Sequence, residues 1–289
     1  MRNLIFCGLC WAALTGSADP VKLFDDGNFL VNFRGPLIRE AGQGATAERN
    51  LLYDGKLAPQ VAATIRGGDR DSGEYLAVSY RPTPAMPFHR RTLLAARLPE
   101  QTVLMVADFY RTATESAAPR WVFNTSDKPE NVGTALMIRS DADRRGGRLN
   151  LEMLRPAENG RTLEFFGNPD RNDGGYRNVY TITKPGENMT LAVLQAGALE
   201  TPVQSVDFRS NAVFFTVRLG NQLFVQTHSA RPVATAIEVD IREKSQVWLS
   251  GLAAGRWKSP ELGVEFVIDR DRPVRVLEAA IPFSVLPQQ

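Results

Sequence analysis

The chain has 289 residues, 43% of them hydrophobic and 23% charged, with a formal net charge of +2. That length can bury a substantial core, as one large β domain or two small ones, and a charge so near zero argues against a nucleic-acid binder. Both cysteines, Cys7 and Cys10, stand at the N-terminus, so the chain from Trp11 onward has no disulfide, Cys-based zinc site or thiol nucleophile.

The first segment, "MRNLIFCGLCWAALTGSADP", opens with Arg2, runs apolar from Leu4 to Leu14, and offers Gly16-Ser17-Ala18 before Asp19-Pro20. This is the arrangement of a cleaved secretory signal over residues 1–18, and it predicts a secreted or periplasmic mature chain from residue 19 to 289. A first buried strand of a chain with a truncated start is the other reading. The apolar run is too short to span a bilayer. No βαβ pattern surrounds Cys7-x-x-Cys10, which counts against a redox pair.

Strand-like runs then follow in close succession: "NFLVNFR" (28–34), "EYLAVSY" (74–80), "RRTLLAARL" (90–98), "TVLMVADFY" (102–110) and "RLNLEML" (148–154). Later come "RNVYTIT" (177–183), "MTLAVLQA" (189–196), "AVFFTVRL" (212–219), "NQLFVQT" (221–227), "TAIEVDI" (235–241) and "GVEFVID" (263–269). Many alternate apolar with polar residues and are rich in Val, Thr, Phe and Tyr, as half-buried strands are. Their connectors carry turn chemistry, as in "YDGK", "RGGDRDSGE", "DADRRGG" and "KPGEN". No amphipathic helix of normal length is legible, and "ATESAA" supplies a turn of helix at most. So many strands must hide their edges in packed sheets. The expectation is an all-β fold, one large antiparallel two-sheet sandwich, with no repeat of the kind a propeller needs.

Catalytic motifs are sparse. "GQGATA" (42–47) opens no helix and reads as turn glycines rather than a dinucleotide fingerprint. The two histidines, His89 and His228, stand far apart in sequence, so any metal site needs carboxylate help. The segments Asp69 to Glu74 and Asp170 to Gly174 resemble calcium loops without the full ligand spacing, and read as solvated turns. Cations beside aromatics are more suggestive: Phe88-His89-Arg90-Arg91, Arg120-Trp121 and Tyr176-Arg177. Sugars stack on aromatic faces and guanidinium groups hold carboxylates. Equally, such cations can snorkel from a sandwich whose aromatics are core.

Taken in order, several segments resemble the C-terminal β-sandwich of heparinase II/III-type polysaccharide lyases. "DDGNFLVNFRGPLIREAGQG" (25–44) is similar to that family's opening strands, and "RNLLYDGKLAPQ" (49–60) to its H-N-x-L-x-x-D-G-x-x-Q-like segment. "RRTLLAARLPEQTVLMVADFYRT" (90–112) resembles the strand pair ending in a V-x-D-R-like turn, and "RWVFNT" (120–125) a W-x-x-H-like strand. "GGRLNLEMLRPAENG" (146–160) and "GGYRNVYTITKPGENMTLAVLQAG" (174–197) continue the pattern.

The resemblance implies a secreted or periplasmic protein of uronic-acid polysaccharides. Family members cleave these by β-elimination, with Tyr or His groups moving the protons, most of them on an α/α toroid preceding the sandwich. The sandwich itself contributes a histidine and, in some members, zinc. In this chain no helical segment precedes Asp25, Arg49-Asn50 stands where the family has H-N, and Asn124 stands at the histidine of the W-x-x-H strand. Asp69 or Asp71 corresponds to the acidic ligand and cannot hold zinc alone. No tightly held zinc and no other cofactor is therefore expected.

The leading expectation is a domain over 19–289 that binds or helps process acidic polysaccharide without full catalytic machinery of its own. Arg49, Asn50, His89, Arg91, Trp121, Asn124, Tyr176 and Arg177 are the candidate contacts, with Tyr176 and His89 the candidates for proton transfer. The rivals are a polysaccharide lyase working alone or with its toroid on a separate segment, and a protein-assembly module. No nucleic-acid partner and no membrane span is expected.

Overall fold

The computed structural model describes residues 21–25, 29–33, 37–40, 51–52, 61–69, 73–84, 86–113, 120–125, 128–139, 147–156, 160–166, 175–181, 186–228 and 232–288. Residues 1–18, read above as a signal, together with Arg49, Asn50, Asp71 and the "GQGATA" stretch, lie outside these residues. Among the described residues there is no helix, so none is long and apolar enough to cross a membrane.

The strands in chain order begin with β1 (Val21–Asp25), β2 (Phe29–Phe33), β3 (Leu37–Glu40) and β4 (Leu51–Leu52). Longer ones follow: β5 (Val61–Asp69), β6 (Gly73–Tyr80), β7 (Phe88–Arg97) and β8 (Gln101–Thr112). Next come β9 (Arg120–Thr125), β10 (Glu130–Val132), β11 (Ala135–Arg139), β12 (Gly147–Arg155), β13 (Gly160–Phe166), β14 (Gly175–Thr181) and β15 (Gly186–Ala198). The C-terminal third adds β16 (Val206–Ser210), β17 (Phe214–Leu219), β18 (Gln222–Thr227), β19 (Ile237–Val239) and β20 (Ser245–Ser250). Last are β21 (Gly255–Ser259), β22 (Val264–Ile268), β23 (Val274–Ala279) and β24 (Phe283–Pro287).

The fold is an all-β sandwich of mainly antiparallel sheets, with β18 and β20 pairing in parallel. Its layers outnumber the two expected, and the reason lies in the central sheet. That sheet has eight strands in the order β10-β11-β12-β15-β8-β7-β6-β5. Along β7 and β8 nearly every residue is buried, which means both faces are covered. One face carries Leu93, Leu104, Val106 and Leu194 and packs on Trp121, Phe123 and Tyr180 of the β13-β14-β9-β4 sheet. The other carries Leu94, Val103, Met105 and Val193 and packs on Phe215, Val217, Phe224 and Trp248 of the β16-β17-β18-β20-β23 sheet. That five-stranded sheet turns Leu223, Val225, Val247 and Leu249 the other way, toward Trp257, Phe266, Phe283 and Val285 of a β19-β24-β21-β22 sheet. Four stacked sheets thus enclose three cores.

Two contacts fix how the central and five-stranded sheets meet. Gly73 lets the Trp248 ring approach, since a Cβ there would stand 2.9 Å from it and 2.4 Å from the Ala95 carbonyl. Gln226 donates across the second core to Thr92 Oγ1 at 2.5 Å. A polar pair satisfied inside an apolar layer specifies how the sheets register.

Candidate functional site

Two groups of polar and aromatic residues flank the first core. The deeper lies on the inner face of the central sheet. Alternation along the strands puts His89 and Arg91 of β7, Asp108 and Tyr110 of β8, and Thr190 of β15 on that face. The register sets Arg91 opposite Asp108, Asp108 opposite Thr190, and His89 opposite Tyr110. Arg91 donates from Nε to Asp108 Oδ1 and from Nη2 to Oδ2, both at 2.7 Å. Thr190 Oγ1 donates to Oδ2 at 3.1 Å, and His89 Nε2 stands 2.9 Å from Oδ1. Asp108 has no solvent exposure and Arg91 has 1%.

The protonation states follow from these neighbours. Burial alone would raise the Asp108 carboxyl, but the Arg91 charge and the hydrogen bonds from His89 and Arg91 outweigh it and hold it well below the usual carboxylate range. Burial lowers His89, and the Arg91 charge adds to that, against the opposing pull of Asp108. His89 is therefore a neutral ring donating Nε2–H to a carboxylate that Arg91 already neutralises. The ring stacks on Tyr80 with centroids 4.3 Å apart, and its Nδ1 is buried without a hydrogen-bond partner. This is a bidentate, charge-assisted clasp across three strands, closed to solvent. No group of three or more His, Cys, Asp or Glu that would hold a metal ion occurs among the described residues.

The second group lies where the same core opens at the sandwich edge. Tyr180 pairs with Trp121 across β14 and β9, and both are buried. Trp121 has 0% exposure, with Phe123 stacked 6.2 Å away and Tyr180 edge-on at 5.9 Å, so it has no face open to a ligand. The row that holds Tyr180 and Asn178 continues to Tyr176, which is half-buried. Opposite Tyr176 stands Phe165 of the edge strand β13, edge-on at 5.5 Å and 50% exposed. Leu163, opposite Asn178, is exposed as well, and Arg161, opposite Tyr180, reaches over to bond Asn131 of β10. Arg161, Leu163, Phe165 and Tyr176 thus share one face at an open rim.

Of the residues singled out in the sequence, the fold brings His89 and Arg91 together but buries both. Tyr176 and Arg177 point to opposite faces of β14, Arg177 lying in register with Asn124 and Glu164. The Asn124 side chain lies outside the described residues, as do Arg49 and Asn50. Sequence reasoning missed Asp108 and Thr190, whose partners are remote in sequence, and Phe165, whose aromatic neighbour stands across the strand pair.

No protein-family model matches the sequence, and no curated protein matches it. Among solved structures, the heparan sulfate lyase HepC from Pedobacter heparinus aligns with 11% identity and a TM-score of 0.46, over 62% of this chain and 29% of that one. A heparinase III gene product aligns with 10% identity and a TM-score of 0.44, over 59% and 28%. A further heparinase III structure gives 12% identity and 0.43, over 61% and 28%. The chain therefore spans less than a third of the length of these structures. Likeness at this level carries no residue roles across.

Proposed function

We propose that this chain is a secreted or periplasmic β-sandwich that binds acidic, uronic-acid polysaccharide at its open β13–β14 rim, without completing an elimination reaction by itself. The observation that carries the reading is the half-exposed Phe165, set against Tyr176 with the Arg161 cation on the same face. An exposed aromatic presents an apolar surface to a sugar ring while keeping hydrogen-bonding groups in reach. A guanidinium on the same face meets a carboxylate. Elimination also needs a base that reaches the substrate. His89 is buried and Tyr176 packs against Phe165, so we assign proton transfer to a helical toroid on another segment or to no part of this protein.

The test is retention on a heparin column in a salt gradient, with the eluted protein also assayed on heparin for ultraviolet-absorbing unsaturated product. Wild type is expected to be retained, Phe165→Ala and Arg161→Ala to elute at lower salt, and no absorbance to grow. Arg256→Ala on the distant β21 serves as control. Equal losses for Arg256→Ala and Arg161→Ala mean bulk charge and no site, and growing absorbance means a lyase.

A further inference from the structure

His228 follows β18 and Ser210 ends β16, so the two side chains meet over the end of β17, which lies between those strands. Ser210 Oγ stands 2.7 Å from His228 Nε2. Ser210 is exposed, while the His228 ring is half-buried and packs edge-on to Phe215 at 5.5 Å. Burial lowers the imidazole below its ordinary value and the nearby Arg155 charge lowers it further, against a hydrogen bond from the ring to the Asn211 main chain. The ring is therefore a neutral acceptor at physiological pH, and the hydroxyl donates to it. Arg155 itself lies over the Phe208 ring at 5.1 Å and has no ion-pair partner among the described residues.

A serine hydroxyl is a weak nucleophile until a base within hydrogen-bond reach takes its proton. That reach is 2.6–3.2 Å in general, and the pair here meets it without rearrangement. We propose that Ser210 and His228 form a nucleophile–base dyad that cleaves acyl esters. In the first step Ser210 Oγ attacks the ester carbonyl carbon and its proton passes to His228 Nε2. The bond from that carbon to the alcohol oxygen then breaks, and the departing alkoxide takes the proton back from His228. Water repeats the sequence on the acyl-serine, with His228 again accepting and returning a proton, so ester and water give carboxylic acid and alcohol. Arg155 supplies positive charge beside the ring for the negative charge that develops on the carbonyl oxygen. The dyad lies on different strands from the polysaccharide rim, so the two proposals stand or fall separately.

The test is labelling of the full chain with a fluorophosphonate probe, with the modified residue mapped by peptide mass spectrometry. A parallel assay measures p-nitrophenyl acetate hydrolysis. Labelling at Ser210 is expected, absent in Ser210→Ala and slowed about a hundredfold or more in His228→Gln, with hydrolysis falling in step. Ser210 is exposed, so its alanine variant keeps the fold, and near-ultraviolet circular dichroism verifies this for both variants. No labelling of the native protein, labelling spread over other serines, or an equal rate in a folded His228→Gln variant overturns the proposal.

Discussion

The two histidines of this chain make an instructive pair. His89 and His228 both carry an imidazole whose affinity for protons is lowered by burial. Their surroundings differ in what the lowered ring can reach. His89 sits in a closed core with its Nε2 on Asp108, and Arg91 already satisfies that carboxylate. His228 stands just past the end of β18 with its Nε2 on the hydroxyl of an exposed serine. A neutral ring donating to a neutralised carboxylate can only hold strands together. A neutral ring accepting from an exposed hydroxyl can move a proton. The neighbour and its access to solvent, more than the imidazole's own titration, separate the structural histidine from the chemically competent one.

The largest effect that would sharpen this contrast is expected at Arg91. Arg91→Leu removes the bidentate donor and leaves Asp108 charged and uncompensated in a dry core, which costs about 3–5 kcal/mol. His228→Gln removes half-exposed hydrogen bonds to Ser210 and to the Asn211 main chain, worth about 1 kcal/mol each. Urea denaturation of both variants measures the difference. Equal losses would break the comparison, because the core clasp would then carry no more of the fold than a surface contact does.

A smaller effect lies in the response to acid. Both His89 and Asp108 bind protons less readily folded than unfolded. For a depressed group, stability is fully present above the unfolded value and is lost as pH falls toward the folded one. His89 therefore erodes stability as pH falls below about 6.5, the ordinary histidine value, and Asp108 only below about 3.9. In His89→Phe, which keeps a ring against Tyr80, the first decline shrinks to the part that the likewise lowered His228 contributes, and the second remains. Stability measured across pH 7 to 2 reads this directly, and an unchanged slope above pH 4 in His89→Phe would assign the first decline to other groups.

The sequence conveyed the all-strand character through period-two alternation and turn residues, and the strands from "EYLAVSY" onward stand close to where they were read. It also held a clue to the number of layers. "TVLMVADFY" and "MTLAVLQA" are near-continuous apolar runs, and runs of that kind belong to strands covered on both faces. A two-sheet sandwich accounts for only one covered face, so the extra layers follow from residues already visible. The candidate sites were less legible for a geometric reason. Adjacent residues in a strand point to opposite faces, so a cation beside an aromatic in sequence does not share its surface. Arg120 is exposed while Trp121 is buried, and Tyr176 and Arg177 divide in the same way. The associations that form are cross-strand ones, such as Arg91 with Asp108 or Phe165 with Tyr176. Their sequence separations follow from pairing, which no local motif encodes.

The smallest stability effect is expected where the largest binding effect is proposed. Phe165 is half-exposed on an edge strand, and its one aromatic contact among the described residues is the Tyr176 ring at 5.5 Å. Removing a side chain already in water forfeits little burial, and surface substitutions of this kind shift stability by about 0.5 kcal/mol or less. Phe165→Ser is therefore expected to unfold at nearly the same urea concentration as wild type. Trp121→Ala, one core layer inward on the same sheet, is expected to cost about 3–5 kcal/mol. An aromatic kept exposed by an edge strand carries an aggregation liability that a fold ordinarily covers or charges. If Phe165→Ser proves neutral in stability and weakens heparin retention, the exposed ring serves recognition. If it destabilises the protein on the scale of Trp121→Ala, Phe165 belongs to the core, and the rim is closed rather than open.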